Sequence, residues 1–370
     1  MLTGVHNVDQ ATLLKLYKNA IKTHANIMVF GPAGSGKTEM AQEASSVLEQ
    51  EHIYLNGSTL EAPDMIGLPM IDMETKTTDY ANPKFLPLEG SRERKCTLLV
   101  DEVDKLKPEL QNPMLEIFQF RSINGRKLAI NSVIATGNLP DEGAFSLPVS
   151  QALTNRCQVF RVDVAFEPWR NWAVNTGVNA LVVGFLNKNP EFLLKKPPEG
   201  DDTAYCHESP RSWTQAGRDL DNSEEKDVDF QTLIVAGRVG TGGATKFNVW
   251  LEHYRHIEPI IDNLIKHGKH PVDSLTIDRV LVCAIAGCSK INQMGIETVD
   301  ASKRAEHEKK CHVLTKNVFG WVQTLGSEFI IGAVKSALSQ TTIEKMHLTR
   351  VPEFMAGFDK IRSKLKGFGY

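Results

Sequence analysis

A glycine-rich segment behind a short apolar stretch is the clearest indication of chemistry in this sequence. Residues 31–38 read GPAGSGKT and follow the apolar residues 25–30. Glycines let successive backbone N–H groups point inward at phosphate oxygens, and the helix that follows adds its positive end. Lys37 is expected to reach the β- and γ-phosphates, and the Thr38 hydroxyl is expected to bind Mg²⁺. The pattern predicts a nucleotide-phosphate site formed by Gly31, Pro32, Ala33, Gly34, Ser35, Gly36, Lys37 and Thr38.

A second segment, residues 97–102, supplies two carboxylates at the end of an apolar strand. It reads TLLVDE, and parallel sheets bind ligands at the edge where their strands end. We expect Asp101 to hold the Mg²⁺ shell and Glu102 to orient and deprotonate the attacking water. An Asp-Glu pair at a strand end is common by itself, but behind a phosphate loop it indicates hydrolysis.

Three further polar residues complete the candidate site. Asn138 follows the apolar strand at 132–135, and an amide there can contact both the water and the γ-phosphate without repelling the nucleotide. Arg156 ends a short helix before a strand, and Arg211 follows Pro210 in the first turn of a helix. Two arginines could neutralise charge on the transferring phosphoryl group. Taken singly, the asparagine fits an ordinary turn and each arginine fits a surface ion pair.

The elements that must position these residues change type along the chain. Short apolar strands are predicted at 25–30, 52–56, 97–100, 132–135 and 159–162. Helical stretches such as 37–50 and 108–120 lie between them, which favours a parallel sheet covered on both faces. After residue 166 the pattern is helical, with predicted helices at 169–185, 212–220, 249–265, 277–288, 315–325 and 328–338. The sequence therefore predicts an α/β half followed by a helical half.

Composition and charge limit the classes of protein. Of 370 residues, 41% are hydrophobic and 24% charged, which is typical of a globular protein with more than one domain. The net charge of -3 provides no overall positive field for nucleic acid or an anionic membrane. No apolar stretch approaches the roughly 18 to 20 residues of a membrane span, and the N-terminus lacks a signal-peptide pattern, so we expect a cytoplasmic protein. The six cysteines form no C-x-x-C pair, and we expect free thiols and no structural metal.

The order of these motifs resembles the MoxR-type AAA+ ATPases, and more closely their phage and bacterial MoxR-like group. The resemblance extends over roughly residues 20–260 and is strongest before residue 165. It rests on GPAGSGKT at 31–38, PDMIGLP at 63–69, TLLVDEVDK at 97–105, RSINGRKL at 121–128, VIATGN at 133–138, LTNR at 153–156 and SPRSW at 209–213.

The resemblance implies a hexameric, Mg²⁺-dependent ring ATPase that binds ATP between its subunits. It implies a P-loop NTPase (AAA+) domain at 1–165, a helical lid at 166–260 and a helical C-terminal extension at 261–370. Residues 31–38 correspond to Walker A, and Asp101 with Glu102 to Walker B. The remaining correspondences are sensor 1 for Asn138, the arginine finger for Arg156, sensor 2 for Arg211, and the residue that restrains the catalytic glutamate for Asn56.

Other segments either extend the resemblance or depart from it. The family inserts a hairpin at a place that corresponds to residues 66–86, and it carries another at 121–131; both are expected to face the pore or a partner. The family more usually has an acidic residue and an arginine followed by an aromatic where this chain has LTNRC, so Arg161 and Arg121 are alternative fingers. The glycine-rich residues 237–246 fail the phosphate-loop spacing, and we expect a turn that joins helices.

Several functions fit these features to different degrees. The leading hypothesis is a ring ATPase that remodels a protein partner, and kinship alone suggests partners with von Willebrand A-type domains. A nucleic-acid motor, such as a restriction-type translocase or a loader, is disfavoured because the sequence has no basic stripe. A nucleotide-gated scaffold that does not hydrolyse is a further alternative, and a small-molecule kinase is the least favoured. The preference for ATP over GTP stays open at this point.

Overall fold

The computed structural model describes residues 5–138, 146–195, 206–269, 277–325, 334 and 337–359. These residues form two compact units, and the chain passes from the first to the second between Ala165 and Phe166. We call them the α/β unit and the helical unit. The finer division predicted from the sequence, with a boundary after residue 260, stays a prediction.

Six parallel strands form the sheet of the α/β unit. The strands of the unit are β1 (His6–Val8), β2 (Asn26–Phe30), β3 (His52–Asn56), β4 (Leu68–Asp72), β5 (Thr77–Ala81), β6 (Cys96–Asp101), β7 (Ser122–Ile123), β8 (Arg126–Lys127), β9 (Ile130–Gly137) and β10 (Gln158–Val162). The six strands of the sheet lie in the order β1, β10, β2, β9, β6 and β3, so the strand before the phosphate loop is near the centre of the sheet. All five predicted strands are confirmed, and β1 was missed because three residues carry too little periodicity.

Helices cover both faces of this sheet, as the apolar strands predicted. They are α1 (Gln10–Thr23), α2 (Lys37–Val47), α3 (Ala62–Ile66), α4 (Pro108–Phe120) and α5 (Gln151–Thr154). Residues of α1 and α2, such as Leu13 and Ala44, pack with one set of strand side chains, including Leu99. Residues of α4, such as Met114, pack with the opposite set, including Leu98. Because successive strand residues point to opposite faces, Asp101 lies on the same face as Leu99.

Two hairpins interrupt the α/β pattern where the resemblance placed them. Strands β4 and β5 pair antiparallel, from Leu68 opposite Ala81 to Asp72 opposite Thr77. Strands β7 and β8 pair through the two-residue turn Asn124-Gly125, and both turn residues have positive φ, 49° and 72°. An Asn-Gly pair favours this turn because both of its residues tolerate the left-handed region. The two predicted hairpins are confirmed, and their contact with a partner stays a prediction.

Helices dominate the described part of the helical unit. Their bounds are α6 (Phe166–Thr176), α7 (Ala180–Lys188), α8 (Pro210–Asn222), α9 (Val228–Arg255), α10 (Glu258–His267), α11 (Ile277–Ile296) and α12 (Arg304–Val322), and two short helices follow at Gln340–Lys345 and Pro352–Asp359. No helix in the described ranges is both long enough and apolar enough to cross a membrane.

Three helix predictions in this unit were wrong in their boundaries. The predicted helix at 169–185 is two helices, because Gly177 adopts a left-handed φ of 75° and Asn179 caps the second helix through its side chain. The predicted helix at 249–265 is interrupted after Arg255, and Pro259 stands in the first turn of α10. Proline fits a first turn because its missing N–H has no partner there. The predicted helix at 315–325 belongs to α12, which begins at Arg304 and ends at Val322.

The glycine-rich residues 237–246 lie inside α9 instead of forming a separate turn. Two helical stretches join at Gly240, whose φ of 83° and ψ of 171° are not helical. A Cβ atom on Gly240 would lie 3.0 Å from the Cys206 carbonyl oxygen. The segment therefore joins helices, as predicted, but through a kink of one residue, and no strand precedes it.

A cluster of aromatic side chains forms part of the core of this unit. Trp213 is fully buried, its Nε1 donates to the Phe192 carbonyl oxygen over 2.6 Å, and its ring lies 5.1 Å from that of Phe185. Trp169 is also buried, whereas Trp172 is 36% exposed. Most of the helix predicted at 328–338 lies outside the described residues.

Candidate functional site

The phosphate loop lies between the end of β2 and the start of α2. Gly34 and Gly36 adopt left-handed φ angles of 72° and 87°, which only glycine accepts without strain. Gly36 also occupies the cap position of α2 and, as a glycine, supplies no capping side chain. The N-terminus of this 11-residue helix presents N–H donors and a positive dipole end, which suits a phosphate group.

Lys37 joins this loop to the end of β9. Its side chain is buried, and Nζ donates to the carbonyl oxygens of Gly31 and Pro32 over 2.7 and 2.8 Å. The same Nζ lies 3.1 Å from Oδ1 of Asn138, 101 positions later in the sequence. The structure therefore brings two of the predicted site residues into direct contact. Phosphate oxygens would offer this buried ammonium a full negative charge.

Asp101 ends β6 with both of its carboxylate oxygens held by neighbours. Oδ1 accepts from the Thr136 hydroxyl of β9 over 2.5 Å and from the Glu102 N–H over 3.0 Å. Oδ2 accepts from the Tyr54 hydroxyl of β3 over 3.1 Å. Residues on the two adjacent strands thus fix the carboxylate, because β6 lies between β3 and β9. Sequence reasoning missed Tyr54 and Thr136, although strand alternation places both on the face of Asp101.

Glu102 stands at the turn between β6 and a short 3-10 helix, Val103–Lys105. Its φ of 53° is left-handed, so its side chain leaves the alternation of the strand. The backbone packs closely against the end of β3, since a Cβ atom on Gly57 would lie 2.6 Å from the Glu102 carbonyl oxygen. Asn56 is next to Gly57, and its Oδ1 accepts from the Ser58 N–H over 2.9 Å. The predicted restraint of Glu102 by Asn56 stays a prediction.

The donor set fits a magnesium-nucleotide. Asp101 and Thr38 offer a carboxylate and a hydroxyl, which are the hard oxygen ligands that Mg²⁺ takes beside substrate phosphates. Thr38 is the second residue of α2 and is half-buried. With Asn138 Oδ1 facing the Lys37 ammonium, the carboxamide NH₂ is the group left to meet a phosphate oxygen.

Arg156 lies near the amino ends of the strands, and the other residues of the candidate site in this unit lie near the carboxyl ends. It precedes β10, whose residue Gln158 pairs with Ile27 near the start of β2. Asp101 is instead the last residue of β6, and Lys37 and Asn138 come after the carboxyl ends of β2 and β9. A strand of five residues spans roughly 16 Å, so Arg156 does not enter the pocket of its own chain. Its Nε donates to Gln119 Oε1 over 2.8 Å, and its carbonyl oxygen accepts from Asn26 Nδ2 over 2.9 Å.

The two alternative fingers have other contacts. The Arg121 guanidinium donates to the Ile117 carbonyl oxygen over 3.1 Å and to Asn26 Oδ1 over 2.6 Å, and burial lowers its pKa. These bonds terminate α4 and anchor the start of β2, so Arg121 has a structural role. Arg161 lies within β10, with Nε 3.7 Å from an Asp163 carboxylate oxygen. These contacts favour Arg156 among the three arginines.

Arg211 belongs to the helical unit, where its predicted local structure is confirmed. It follows Pro210 in the first turn of α8, and its side chain is exposed. Ser209 and Ser212 cap this turn reciprocally: Ser209 Oγ accepts from the Ser212 N–H over 3.1 Å, and Ser212 Oγ accepts from the Ser209 N–H over 2.8 Å. The contact of Arg211 with nucleotide stays a prediction.

Comparison with known families supports the fold of the first unit. Residues 26–157 match the model of the AAA domain, dynein-related subfamily. The match begins with β2 and ends just after Arg156, so it includes the phosphate loop, Asp101, Glu102 and Asn138. The predicted AAA+ P-loop NTPase fold, with its parallel sheet and helical second part, is confirmed.

Individual proteins match parts of the chain. An uncharacterized protein of Staphylococcus saprophyticus is 27% identical over 178 residues, which are 44% of this chain and 64% of that protein. Origin recognition complex subunit 1 of Cricetulus griseus is 26% identical over 129 residues, 30% of this chain and 15% of that protein. A mutant of Thermotoga maritima RuvB aligns with 14% identity and a TM-score of 0.38 over 70% of this chain and 76% of its own. This chain thus spans less than two thirds of the first relative.

Proposed function

We propose that the protein is a magnesium-dependent ATPase that assembles as a MoxR-type ring and uses hydrolysis to remodel a protein partner. The contact between Lys37 Nζ and Asn138 Oδ1 carries this proposal, because it joins the phosphate loop to the strand end beside Asp101. Groups that bind phosphate, metal and water must converge on one triphosphate for hydrolysis to occur. The AAA domain match over residues 26–157 supports the same activity.

Each residue of the site has a distinct task in this proposal. Lys37 and the loop N–H groups bind the phosphates, and Asn138 orients the γ-phosphate through its NH₂ group. Thr38 and Asp101 would hold Mg²⁺, which would neutralise phosphate charge. Glu102 accepts the proton of the attacking water at its carboxylate. Thr136 and Tyr54 keep the Asp101 carboxylate in one orientation.

The position of Arg156 supports an oligomer. Since it lies at the sheet edge away from its own Lys37, it acts in this proposal on the nucleotide of an adjoining copy. Arg211 supplies the second positive group from α8. The number of six subunits comes from the resemblance alone.

The β4–β5 hairpin supports a protein as the partner. Its side chains include the exposed Leu68, Ile71 and Met73, and Met73 is 81% exposed. Asp72 and Glu74 lie beside them near the tip, and such a surface suits an apolar protein segment better than a polyanion. A von Willebrand A-type partner remains an expectation from kinship.

Glu102→Gln tests the hydrolytic step. We expect nucleotide affinity to stay within about threefold and the hydrolysis rate to fall about 10²- to 10⁴-fold, because the amide cannot accept a proton from water. Affinity is measured with a fluorescent ATP analogue, and phosphate release is measured with and without Mg²⁺. The control is Glu61→Gln, an exposed carboxylate paired with Lys107. An unmodified protein that releases no phosphate from ATP with Mg²⁺ would contradict the proposal.

Mixing variants tests whether Arg156 acts across an interface. We expect Arg156→Ala to bind ATP normally and to hydrolyse it about 10³-fold more slowly, as removal of an arginine finger does. Mixed with Glu102→Gln subunits, it should regain part of the activity, since an intact Glu102 then faces an intact Arg156. Native mass measurement reports the number of copies. If mixing restores nothing although mixed assemblies form, Arg156 does not act in trans.

A further inference from the structure

Asp104 is a buried carboxylate next to the candidate site with no role in the chemistry described so far. It lies in the short helix Val103–Lys105, three positions after Asp101, and is 1% exposed. A buried carboxylate is costly unless hydrogen bonds and opposite charge compensate it. Its contacts therefore indicate what it does.

Those contacts hold the backbone on both sides of residues 139–145. Oδ1 accepts from the Asn138 N–H over 2.9 Å, and Oδ2 accepts from the Ser146 hydroxyl over 3.0 Å. The Asp104 carbonyl oxygen accepts from the Leu147 N–H over 2.6 Å, and Lys105 Nζ lies 3.7 Å from Oδ2. One residue thus fixes the point where Asn138 leaves β9 and the point where the chain returns.

The surroundings leave this carboxylate little freedom. A Cβ atom on Gly137 would lie 2.9 Å from Asp104 Oδ1 and 3.2 Å from Cε1 of Phe30. Glycine at 137 therefore lets β9 approach the carboxylate closely enough for the bond to Asn138. Phe30 is the last residue of β2, directly before the phosphate loop, so the contact lies between the two elements that meet at the nucleotide.

We infer that Asp104 is a positioning residue that sets the place of the Asn138 carboxamide through the backbone N–H of Asn138. With the N–H fixed at 2.9 Å, Oδ1 of the Asn138 side chain meets Lys37 Nζ at 3.1 Å. In the proposed function the NH₂ group of the same side chain would then meet the phosphates. A displacement of about 1 Å in such a group lowers a rate about 10²-fold. This inference rests on the proposed ATPase activity and adds a residue to it.

The test compares three substitutions by kcat and by ATP affinity. Asp104→Ala removes the acceptor, and we expect kcat to fall about 10- to 100-fold while affinity stays within about threefold, since Lys37 and the loop still bind phosphate. Asp104→Asn keeps one oxygen for the Asn138 N–H and should restore kcat to within about threefold. Gln111→Ala is the matched control: Gln111 bonds Pro148 and Ser150 on the returning segment and not Asn138, so kcat should be unchanged.

A double substitution separates positioning from general support of the fold. If Asp104 acts through the Asn138 side chain, Asp104→Ala should lower kcat no further in a protein that already carries Asn138→Ala. Circular dichroism checks that each variant is folded, and Asp104→Leu replaces the alanine variant if that variant fails to fold. Failure of both to fold would make the carboxylate a requirement of the fold and would overturn the inference.

Full additivity of the two substitutions would also overturn the inference, and so would a fall in ATP affinity as large as the fall in kcat. If the unaltered protein and Asp104→Ala hydrolyse ATP equally well, the inference about Asp104 is wrong, but the proposed ATPase activity still holds. An unaltered protein that hydrolyses nothing removes the proposed function instead.

Discussion

Two asparagines, Asn138 in the α/β unit and Asn292 in the helical unit, have opposite patterns of hydrogen bonding. Asn292 is buried in α11, its Nδ2 donates to the Val174 carbonyl oxygen over 2.8 Å, and its Oδ1 accepts from the Ser339 N–H over 2.9 Å. Asn138 is half-buried, and its Oδ1 accepts from Lys37 Nζ over 3.1 Å at the end of β9. A network completed within the fold contributes stability, whereas a network left open at a strand end is available to a ligand.

The same difference predicts whether a substitution changes binding and catalysis or changes the free energy of unfolding. Polar residues of the candidate site stand at or after strand ends, and we expect the fold to depend less on their side chains than on those of the helical core. Polar residues in the core of the helical unit connect helices distant in sequence, as Asn292 connects α6 to the segment at Ser339. Substitutions in the first group should change chemistry with little effect on stability, and substitutions in the second group should do the reverse.

Lys37→Ala should give the largest effect and would separate the two regions most clearly. We expect ATP affinity to fall about 10³-fold, because a charge-assisted contact with the phosphates is lost from a buried position. Calorimetric titration with ATP and Mg²⁺ measures the affinity, and urea unfolding measures the stability. The exposed Lys22 of α1 provides the control in Lys22→Ala. If Lys37→Ala keeps its affinity for ATP, the candidate nucleotide site is wrong. If the variant unfolds globally, the proposed difference between the candidate site and the helical core is wrong.

Asn292→Ala should do the opposite. It leaves the buried Ser339 N–H and Val174 carbonyl oxygen without the bonds seen in the structure, which should lower the free energy of unfolding by about 2 to 4 kcal/mol. ATP affinity should stay within about threefold. Urea unfolding followed by circular dichroism measures the loss, and Gln293→Ala, at the next and exposed position of α11, is the control. A stability loss no larger than that of the control would break the comparison.

The contacts of the candidate site could be predicted from the sequence better than the hydrogen bonds of Asn292 in the helical unit, for a physical reason. GPAGSGKT and the strand ending in Asp101 and Glu102 are local patterns whose chemistry follows from short spacing. Because parallel strands end at one edge, the contact between Lys37 and Asn138 could be expected without coordinates. The bonds from Thr136 and Tyr54 to Asp101 also followed from strand alternation, but only once the strand order was known.

The hydrogen bonds of Asn292 within the helical unit could not be predicted in this way. Asn292 bonds with residues 118 and 47 positions away, and helical periodicity carries no information about such distant partners. The helix boundaries at Gly177 and Pro259 were missed for a related reason, since apolar spacing continues across both breaks. Asp104 was overlooked because its role depends on the backbone of Asn138, which no local pattern shows.

Ser209→Ala should have the smallest effect, at a place where the comparison can be sharpened. Ser209 caps α8, whose first turn carries Arg211, and loss of the cap should lower the free energy of unfolding by about 1 kcal/mol. If Arg211 contacts the nucleotide as proposed, fraying of this turn should also lower the hydrolysis rate, by up to about fivefold. Ser209→Thr keeps a capping hydroxyl and should restore both quantities. If Ser209→Ala loses stability but keeps its hydrolysis rate, Arg211 takes no part in hydrolysis. The first turn of α8 would then matter to the stability of the helical unit and not to the chemistry.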